Sequence, residues 1–482
     1  MGAALRLLAV DLGASGGRAI LGTFDGEKLV LQPLHKFANG PQRVRGHMYW
    51  DILRLWAEIK VSLQKAARAG IELDALGIDT WGVDYGLLDK NGQLLSNPYH
   101  YRDKRTDDVM PKVWEQVTRE EIYRLTGIQF MQFNTLFQLY ADLQYRPWTL
   151  EQAETLLFIP DLLNYFLTGQ KANEKTIAST SQVLNATSGT WARDLLQRLG
   201  INDTILQDIA EPGQALGTVL PEVAEECGLK RDLMVMVVGS HDTASAVAAT
   251  PLEAGKTAAF LSSGTWSLLG MEIADPIITP DSLAANFTNE AGVQDTIRFL
   301  KNISGLWLLQ ECRRIWQLEG QDLSYDEIAT QAKQARSFLF RVDPDDPRFL
   351  GPTNMVEEIE AFCRETGQPI PTGPGEMARG IYESLAFSYR ENLAVLERLT
   401  GQSIDTINMV GGGIQAELLC QITADITGRR VVTGPVEATA MGNMLVQLIG
   451  LGELDNLEQG RELIRRSVSI REYLPAAKQL DS

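Results

Sequence analysis

Apolar residues open this chain as strand-length runs separated by glycine-rich turns. Leu5–Val10 is one such run, Asp11-Leu12-Gly13-Ala14-Ser15-Gly16-Gly17 a tight turn, Arg18–Phe24 a second run, and Asp25-Gly26 leads into a third near Lys28–Phe37. This pattern predicts an antiparallel hairpin with a glycine-rich tip and a third strand beside it. Asp51 stands where it can cap an amphipathic helix running to about Ala69. Beyond it, Leu76-Gly77-Ile78-Asp79 reads as a short buried strand and Gly82–Leu88 as another, closed by the turn Asp89-Lys90-Asn91-Gly92. From about Arg102 to Leu229 the period becomes mostly helical. Phe130, Phe133, Phe137 and Tyr140 fall there at helical spacing, which predicts core rather than a cofactor box.

The run Met234–Val238 ends in Gly239-Ser240-His241-Asp242-Thr243-Ala244 and passes into small, helix-compatible residues, so it predicts a buried strand turning into a helix. Asp242 can cap that helix, or it can accept a proton from a bound hydroxyl while adjacent backbone N–H groups face the same cleft. Thr257–Leu261, Ser262-Ser263-Gly264-Thr265 and Trp266–Met271 then repeat the opening order of strand, small-residue turn and strand. A long amphipathic helix from about Glu376 to Leu399 carries Ile381, Leu385, Tyr389 and Leu396 on one face. It precedes a strand near Ile407–Val410, Gly411-Gly412-Gly413, a helix to Thr427, a strand at Arg430–Thr433 and a closing helix from Thr439. Two glycine-tipped hairpins, each opening one half, predict duplicated α/β domains facing one another across a cleft.

Size and charge narrow the partners. A chain of 482 residues exceeds one ordinary core, and roughly 150 residues per domain gives two or three domains. The 44 Lys and Arg against 62 Asp and Glu leave a net charge of −18, which repels phosphate backbones and anionic membranes and argues against a nucleic-acid or membrane partner. An anionic ligand must then be drawn in by local backbone dipoles or a metal. Cys227, Cys312, Cys363 and Cys420 form no C-x-x-C pair, so zinc is disfavoured and free thiols in a reducing compartment are expected. No run approaches the about 18 apolar residues of a membrane span, and Met1–Val10 lacks the apolar core of a signal peptide. A cytoplasmic protein is expected, with monomer or homodimer left open.

A turn of Gly, Ala and Ser exposes backbone N–H groups without obstructing side chains and can wrap nucleotide phosphates. Two such turns and a third glycine cluster opening a C-terminal helix together point to nucleotide binding. Several decoys fail. Gly255-Lys256-Thr257 resembles the end of a P-loop, but Thr250 stands where that pattern needs glycine and the residues open a strand. Gly411-x-Gly413-x-x-Ala416 fits the loose dinucleotide fingerprint, yet the following strand ends in Val432-Thr433-Gly434 with no acid for a ribose. H-R-D and D-F-G triplets are absent. Phosphoryl transfer needs Mg²⁺, which takes one or two carboxylates and keeps waters, and Asp11 beside the first turn is the candidate ligand; pinning the turn is its other role.

The chain resembles the FGGY carbohydrate kinases, within the sugar kinase, Hsp70 and actin superfamily. The resemblance rests on Val10–Ser15, Gly77-Ile78-Asp79-Thr80-Trp81-Gly82-Val83-Asp84, Tyr101-Arg102-Asp103, Ser240–Ala246, Leu261–Ser267, Lys301-Asn302-Ile303, Gly305–Gln310 and Gly434–Ala438, in the family's order. It implies an α/β fold of two RNase H-like domains that close around ATP and a ketose. The implied spans are an N-terminal sugar-binding domain over 1–245, a C-terminal nucleotide domain over 246–455 and a tail over 456–482. The strings are most similar to the branch that transfers the γ-phosphoryl of ATP to the C1 hydroxyl of L-rhamnulose. Carried over, Asp242 is the general base, and Gly82, His241, Asp242 and Thr243 border the sugar, with Asp84 and Arg102 as further sugar-site candidates. Ala14, Ser15, Gly16, Gly17, Arg18, Thr265, Asn302, Gln310 and Gly412 border ATP, and Asp11 holds Mg²⁺ through water. Gly16 replaces a second serine usual in the family's turn, and Ala416 stands where relatives usually carry Asn, which leaves nucleotide preference open. Xylulose, fuculose or glycerol as acceptor, or an Hsp70- or actin-like ATPase switch, are the alternatives.

Overall fold

A computed structural model of the chain describes residues 4–253 and 255–476. These gather into two compact units. The first comprises the chain up to Ala249 together with 272–299 and 438–468; the second comprises 250–271, 300–437 and the residues after 468. The sequence suggests contiguous spans divided at 245 and 455; in the compact units, segments 272–299 and 438–468 group with the chain up to Ala249.

In the first unit, β1 (Leu5–Leu12), β2 (Gly16–Phe24) and β3 (Leu29–Ala38) form the expected antiparallel meander. β4 (Ala75–Thr80) then pairs parallel with β1, and β5 (Met234–Met236) parallel with β4. The sheet reads β5-β4-β1-β2-β3, with Ala215–Thr218 added beyond β5. A parallel return needs a crossover. The helix Ile52–Arg68, capped by Asp51 through the Arg54 N–H, supplies the one between β3 and β4. Its buried face of Ile52, Leu55, Ile59 and Leu63 joins Leu8, Val10, Leu76 and Ile78 in one core. The strand foreseen over 82–88 is shorter, Tyr85–Leu88, and pairs antiparallel with Thr155–Phe158. Gly82-Val83-Asp84 is instead a γ-turn, closed by Asp84 N–H to Gly82 O at 2.9 Å, with Val83 at φ 67°.

The aromatic stripe is core for Phe130, Phe137 and Tyr140, whereas Phe133 is partly buried and meets the Tyr101 ring edge-on at 5.3 Å. The helix Ala438–Gly450 packs on the same unit. Asn443 Nδ2 donates to Asp79 Oδ2 at 2.6 Å, and Gln447 Nε2 donates to Leu8 O at 3.0 Å.

The second unit repeats the plan. β6 (Ala258–Ser263) and β7 (Trp266–Ile273) form the second hairpin, followed by β8 (Ile297–Ser304), β9 (Thr406–Val410) and β10 (Arg430–Thr433). β9 pairs parallel with β6 and β10 with β9, giving β8-β7-β6-β9-β10, with Thr288–Ala291 beyond β8 and Glu472–Tyr473 beyond β10. That order matches β3-β2-β1-β4-β5 strand for strand, so the hairpins open duplicated domains. The helices Pro374–Thr400 and Glu417–Thr427 stand where the periodicity places them. Ala416 is the N-cap residue of the latter and makes no side-chain cap bond, so an Asn there would add a cap that this chain lacks. Cys227, Cys312, Cys363 and Cys420 are all buried free thiols. Among the described residues no helix is long and apolar enough to cross a membrane.

Close backbone packing gives the first test. A Cβ on Gly442 would lie 1.7 Å from Ser245 O, so the helices Asp242–Ala248 and Ala438–Gly450 cross at a distance only glycine permits, whereas a Cβ on Gly412 meets nothing within 4 Å. Gly442→Ala is expected to lose about 2 kcal/mol or more of unfolding free energy and Gly412→Ala almost none, measured as urea midpoints.

Candidate active site

The parallel register decides which side chains meet. Asp11 pairs with Asp79 across β1 and β4, and Thr80, the last residue of β4, bridges to His241. The carboxyl ends of three adjacent strands therefore bring Asp11, Asp79 and the His241-Asp242 turn together, the position where open α/β sheets bind ligands. His241 is the N-cap residue of the helix Asp242–Ala248, without a side-chain cap bond, and Asp242 is its first residue. Asp242 is thus not used as the cap. Its Oδ1 accepts from Thr243 Oγ1 at 3.1 Å and lies 3.4 Å from His241 Nε2, while 31% of its side chain stays exposed. Desolvation raises its pKa above the ordinary carboxylate value and the charge of Asp11 adds to this, opposed by His241.

A buried acid that the sequence reading left out holds this turn. Glu174 accepts from Thr176 N, Thr176 Oγ1, Ile177 N and Ser240 N, and Thr176 Oγ1 in turn accepts from His241 N at 3.2 Å. Burial pushes the Glu174 carboxyl up to about 7 against those bonds. Arg298 and Glu290 also reach His241 from a segment some 50 residues later, with Arg298 Nη2 3.2 Å and Glu290 Oε2 3.3 Å from Nδ1.

Around the glycine turn, Gly13 N–H bonds to Gly16 O at 2.9 Å and Asn39 Nδ2 to Gly13 O at 2.8 Å, which fixes the tip that carries Ala14, Ser15, Gly16 and Gly17. Arg18 grips Asp11 Oδ2 through Nε at 2.9 Å and Nη2 at 2.8 Å. Among the described residues no group of three or more His, Cys, Asp and Glu side chains could cage a metal. The donors present still suit a hard, partly hydrated cation. Asp11 and Asp242 offer carboxylate oxygens, and the fully buried Asp79 keeps Oδ1 without a hydrogen-bond partner. Burial and then the Asp11 charge hold the Asp79 carboxyl well above its usual range.

Gly82 sits against Thr180, whose Oγ1 would be 3.0 Å from an added Cβ. Asp84, read from the sequence as a sugar-site candidate, is 1% exposed and has both oxygens engaged by the protein. Oδ2 accepts from Trp50 Nε1 at 2.6 Å, Trp81 Nε1 at 3.0 Å and Tyr101 N at 3.1 Å, and Oδ1 accepts from Gln138 Nε2 at 2.8 Å. It clamps the Trp50–Trp81 pair, whose rings lie 3.9 Å apart, and burial lifts its pKa to about 6. Arg102 stacks its guanidinium over Tyr101 at 5.3 Å, and its backbone N–H donates to His100 Nδ1.

In the second unit, Gly305 admits the Gly264-Thr265 turn so closely that a Cβ would lie 2.8 Å from Gly264 O. The helix Trp307–Leu318 starts from that contact, and Thr265 Oγ1 donates to Gln310 Oε1 at 3.1 Å. Asn302 lies on β8, part-buried. Gly411, at φ 87°, and Gly413 pack on Ser263, where a Gly413 Cβ would fall 2.0 Å from Oγ, and Gly412 between them is exposed.

The models of the FGGY family of carbohydrate kinases match this chain in both parts, the N-terminal domain over residues 6–249 and the C-terminal domain over 259–451. The chain belongs to that family and is a carbohydrate kinase. It is 44% identical over 472 residues to a protein of Halalkalibacterium halodurans named rhamnulokinase, covering 98% of this chain and 99% of that one. It is 44% identical to a rhamnulokinase of Bacteroides thetaiotaomicron, covering 97% and 95%. In fold it is similar to gluconate kinase from Lactobacillus acidophilus, with a TM-score of 0.79 at 18% identity over 98% of this chain and 94% of that one.

The buried acids set a pH dependence. Glu174, about 7 against an ordinary 4.5, and Asp84, about 6 against 3.8, hold protons in the folded state that the unfolded chain has already released. Stability is therefore expected to fall as pH rises, from 3.8 through about 6 for Asp84 and from 4.5 through about 7 for Glu174, by about 1.4 kcal/mol per pH unit and group at most. Urea midpoints from pH 5 to 8 check this, and Glu174→Gln should flatten the slope.

Proposed function

We propose that this kinase transfers the γ-phosphoryl of ATP to the C1 hydroxyl of L-rhamnulose, giving L-rhamnulose 1-phosphate and ADP, a step of L-rhamnose breakdown. The near full-length similarity at 43–44% to five relatives named rhamnulokinase carries the choice of sugar. The exposed edge of Asp242 at the start of its helix supports the choice of base.

In this reading Asp242 accepts the C1 hydroxyl proton as the alkoxide oxygen bonds to Pγ and the bond from Pγ to the bridging oxygen of ADP breaks. Gly82, His241 and Thr243 border the sugar with Asp242. Asp84 acts from behind by holding Trp81, and Arg102 flanks through Tyr101. Ala14–Arg18, Thr265, Asn302, Gln310 and Gly412 are the residues to border ATP. Asp11 is the residue to hold Mg²⁺ through water, and the ion supplies charge neutralisation at the phosphates. The protein works in the cytoplasm on small molecules.

Two assays test the reading. ADP release measured with L-rhamnulose, xylulose, fuculose and glycerol should give the highest kcat/KM with L-rhamnulose; a higher value for another acceptor reassigns the sugar, and sugar-independent ATPase activity stimulated by a protein favours a switch. Asp242→Asn should lose about 10²- to 10⁴-fold in kcat while still binding ATP, and near-normal turnover would refute the base assignment.

A further inference from the structure

A guanidinium with no exposed surface stands behind the His241-Asp242 turn. Arg298, at the start of β8, donates through Nε to Ala291 O at 3.0 Å, lies 3.2 Å through Nη1 from Glu290 Oε2, and places Nη2 3.2 Å from His241 Nδ1. A guanidinium has donors only. Toward Arg298, Nδ1 brings a lone pair, and toward Glu290 Oε2 it would bring a proton; in the first arrangement a neutral imidazole carries its proton on Nε2. That nitrogen is the one 3.4 Å from Asp242 Oδ1, the oxygen that also receives the Thr243 hydroxyl. Both groups converge on Oδ1 and so orient the carboxylate.

We propose that Arg298 is a positioning residue for phosphoryl transfer: it fixes the Nε2–H tautomer of His241 and, through it, the orientation of the Asp242 carboxylate. Glu290 shows what Arg298 prevents. Its Oε2, paired with Arg298 Nη1, lies 3.3 Å from Nδ1 and would accept a hydrogen bond from an Nδ1–H ring. That opposite tautomer would turn the bare Nε2 lone pair toward Asp242 Oδ1, repelling the oxygen it now holds. The inference rests on Asp242 being the base, and it adds that this base is aligned by a relay entered from residues 290 and 298.

The chain has four histidines, so ¹⁵N imidazole spectra can be assigned with His241→Asn. Wild-type His241 is expected as the neutral Nε2–H form. Arg298→Met should move it to Nδ1–H and lower kcat about 10- to 100-fold with KM for ATP unchanged, and Arg298→Lys, which keeps a donor toward Nδ1, should restore part of both. A wild-type Nδ1–H or doubly protonated ring overturns the proposal, as does an Arg298→Met protein with native circular dichroism that keeps Nε2–H. Should Arg298→Met fail to fold, the wild-type tautomer and Arg298→Lys decide. A wild-type Nδ1–H ring beside an inactive Asp242→Asn refutes only the relay, whereas an active Asp242→Asn refutes the base itself.

Discussion

Parallel pairing of β4 with β1, and of β5 with β4, is the constraint on which the first unit's site depends. It aligns three strand ends, sets Asp11 opposite Asp79, and bridges Thr80 to His241. Carboxylates so placed would repel one another and lose hydration. The structure counters this with Arg18 on Asp11, Asn443 on Asp79, and His241 with Thr243 on Asp242. A slip of one residue in β4 would turn Asp79 to the opposite face and break the set.

Around that end the turn itself is held by buried polar groups. Glu174 ties down Ser240 and, through Thr176, His241, while Asp84 locks two indoles and the strained Val83 turn. Such networks carry a cost in desolvation, visible in the raised pKa values of both acids, and they hold a loop rigidly where a helix cap alone would leave it free. The second unit uses the same strand order with glycines in place of acids, so that Gly305, Gly411 and Gly413 bring backbone against backbone.

Much of this was legible in the chain. Strand-length runs broken by Gly, Ser and Asp marked both hairpins, and the strand-turn-helix at Asp242 stood out because a run of five apolar residues ends in a turn. The interleaving of the units was not legible, because the helix Ala438–Gly450 announces only that it is apolar, not that Asn443 will find Asp79 more than 360 residues earlier. Glu174, Glu290 and Arg298 were missed for the same reason: no local pattern separates a charged residue destined for burial from one on the surface. Asp84 was found for its motif but its partners were not, since only the fold shows its oxygens bonded to Trp50, Trp81, Tyr101 and Gln138.

The central claim is that a carboxylate at a strand end takes the proton of a sugar hydroxyl as that oxygen receives a phosphoryl group. The most direct test is NMR of the product formed from ATP and L-rhamnulose labelled with ¹³C at C1. A coupling between ³¹P and that carbon, with one ester formed per ADP, is the predicted result. ADP accompanied by inorganic phosphate, or an ester on another carbon, would contradict it.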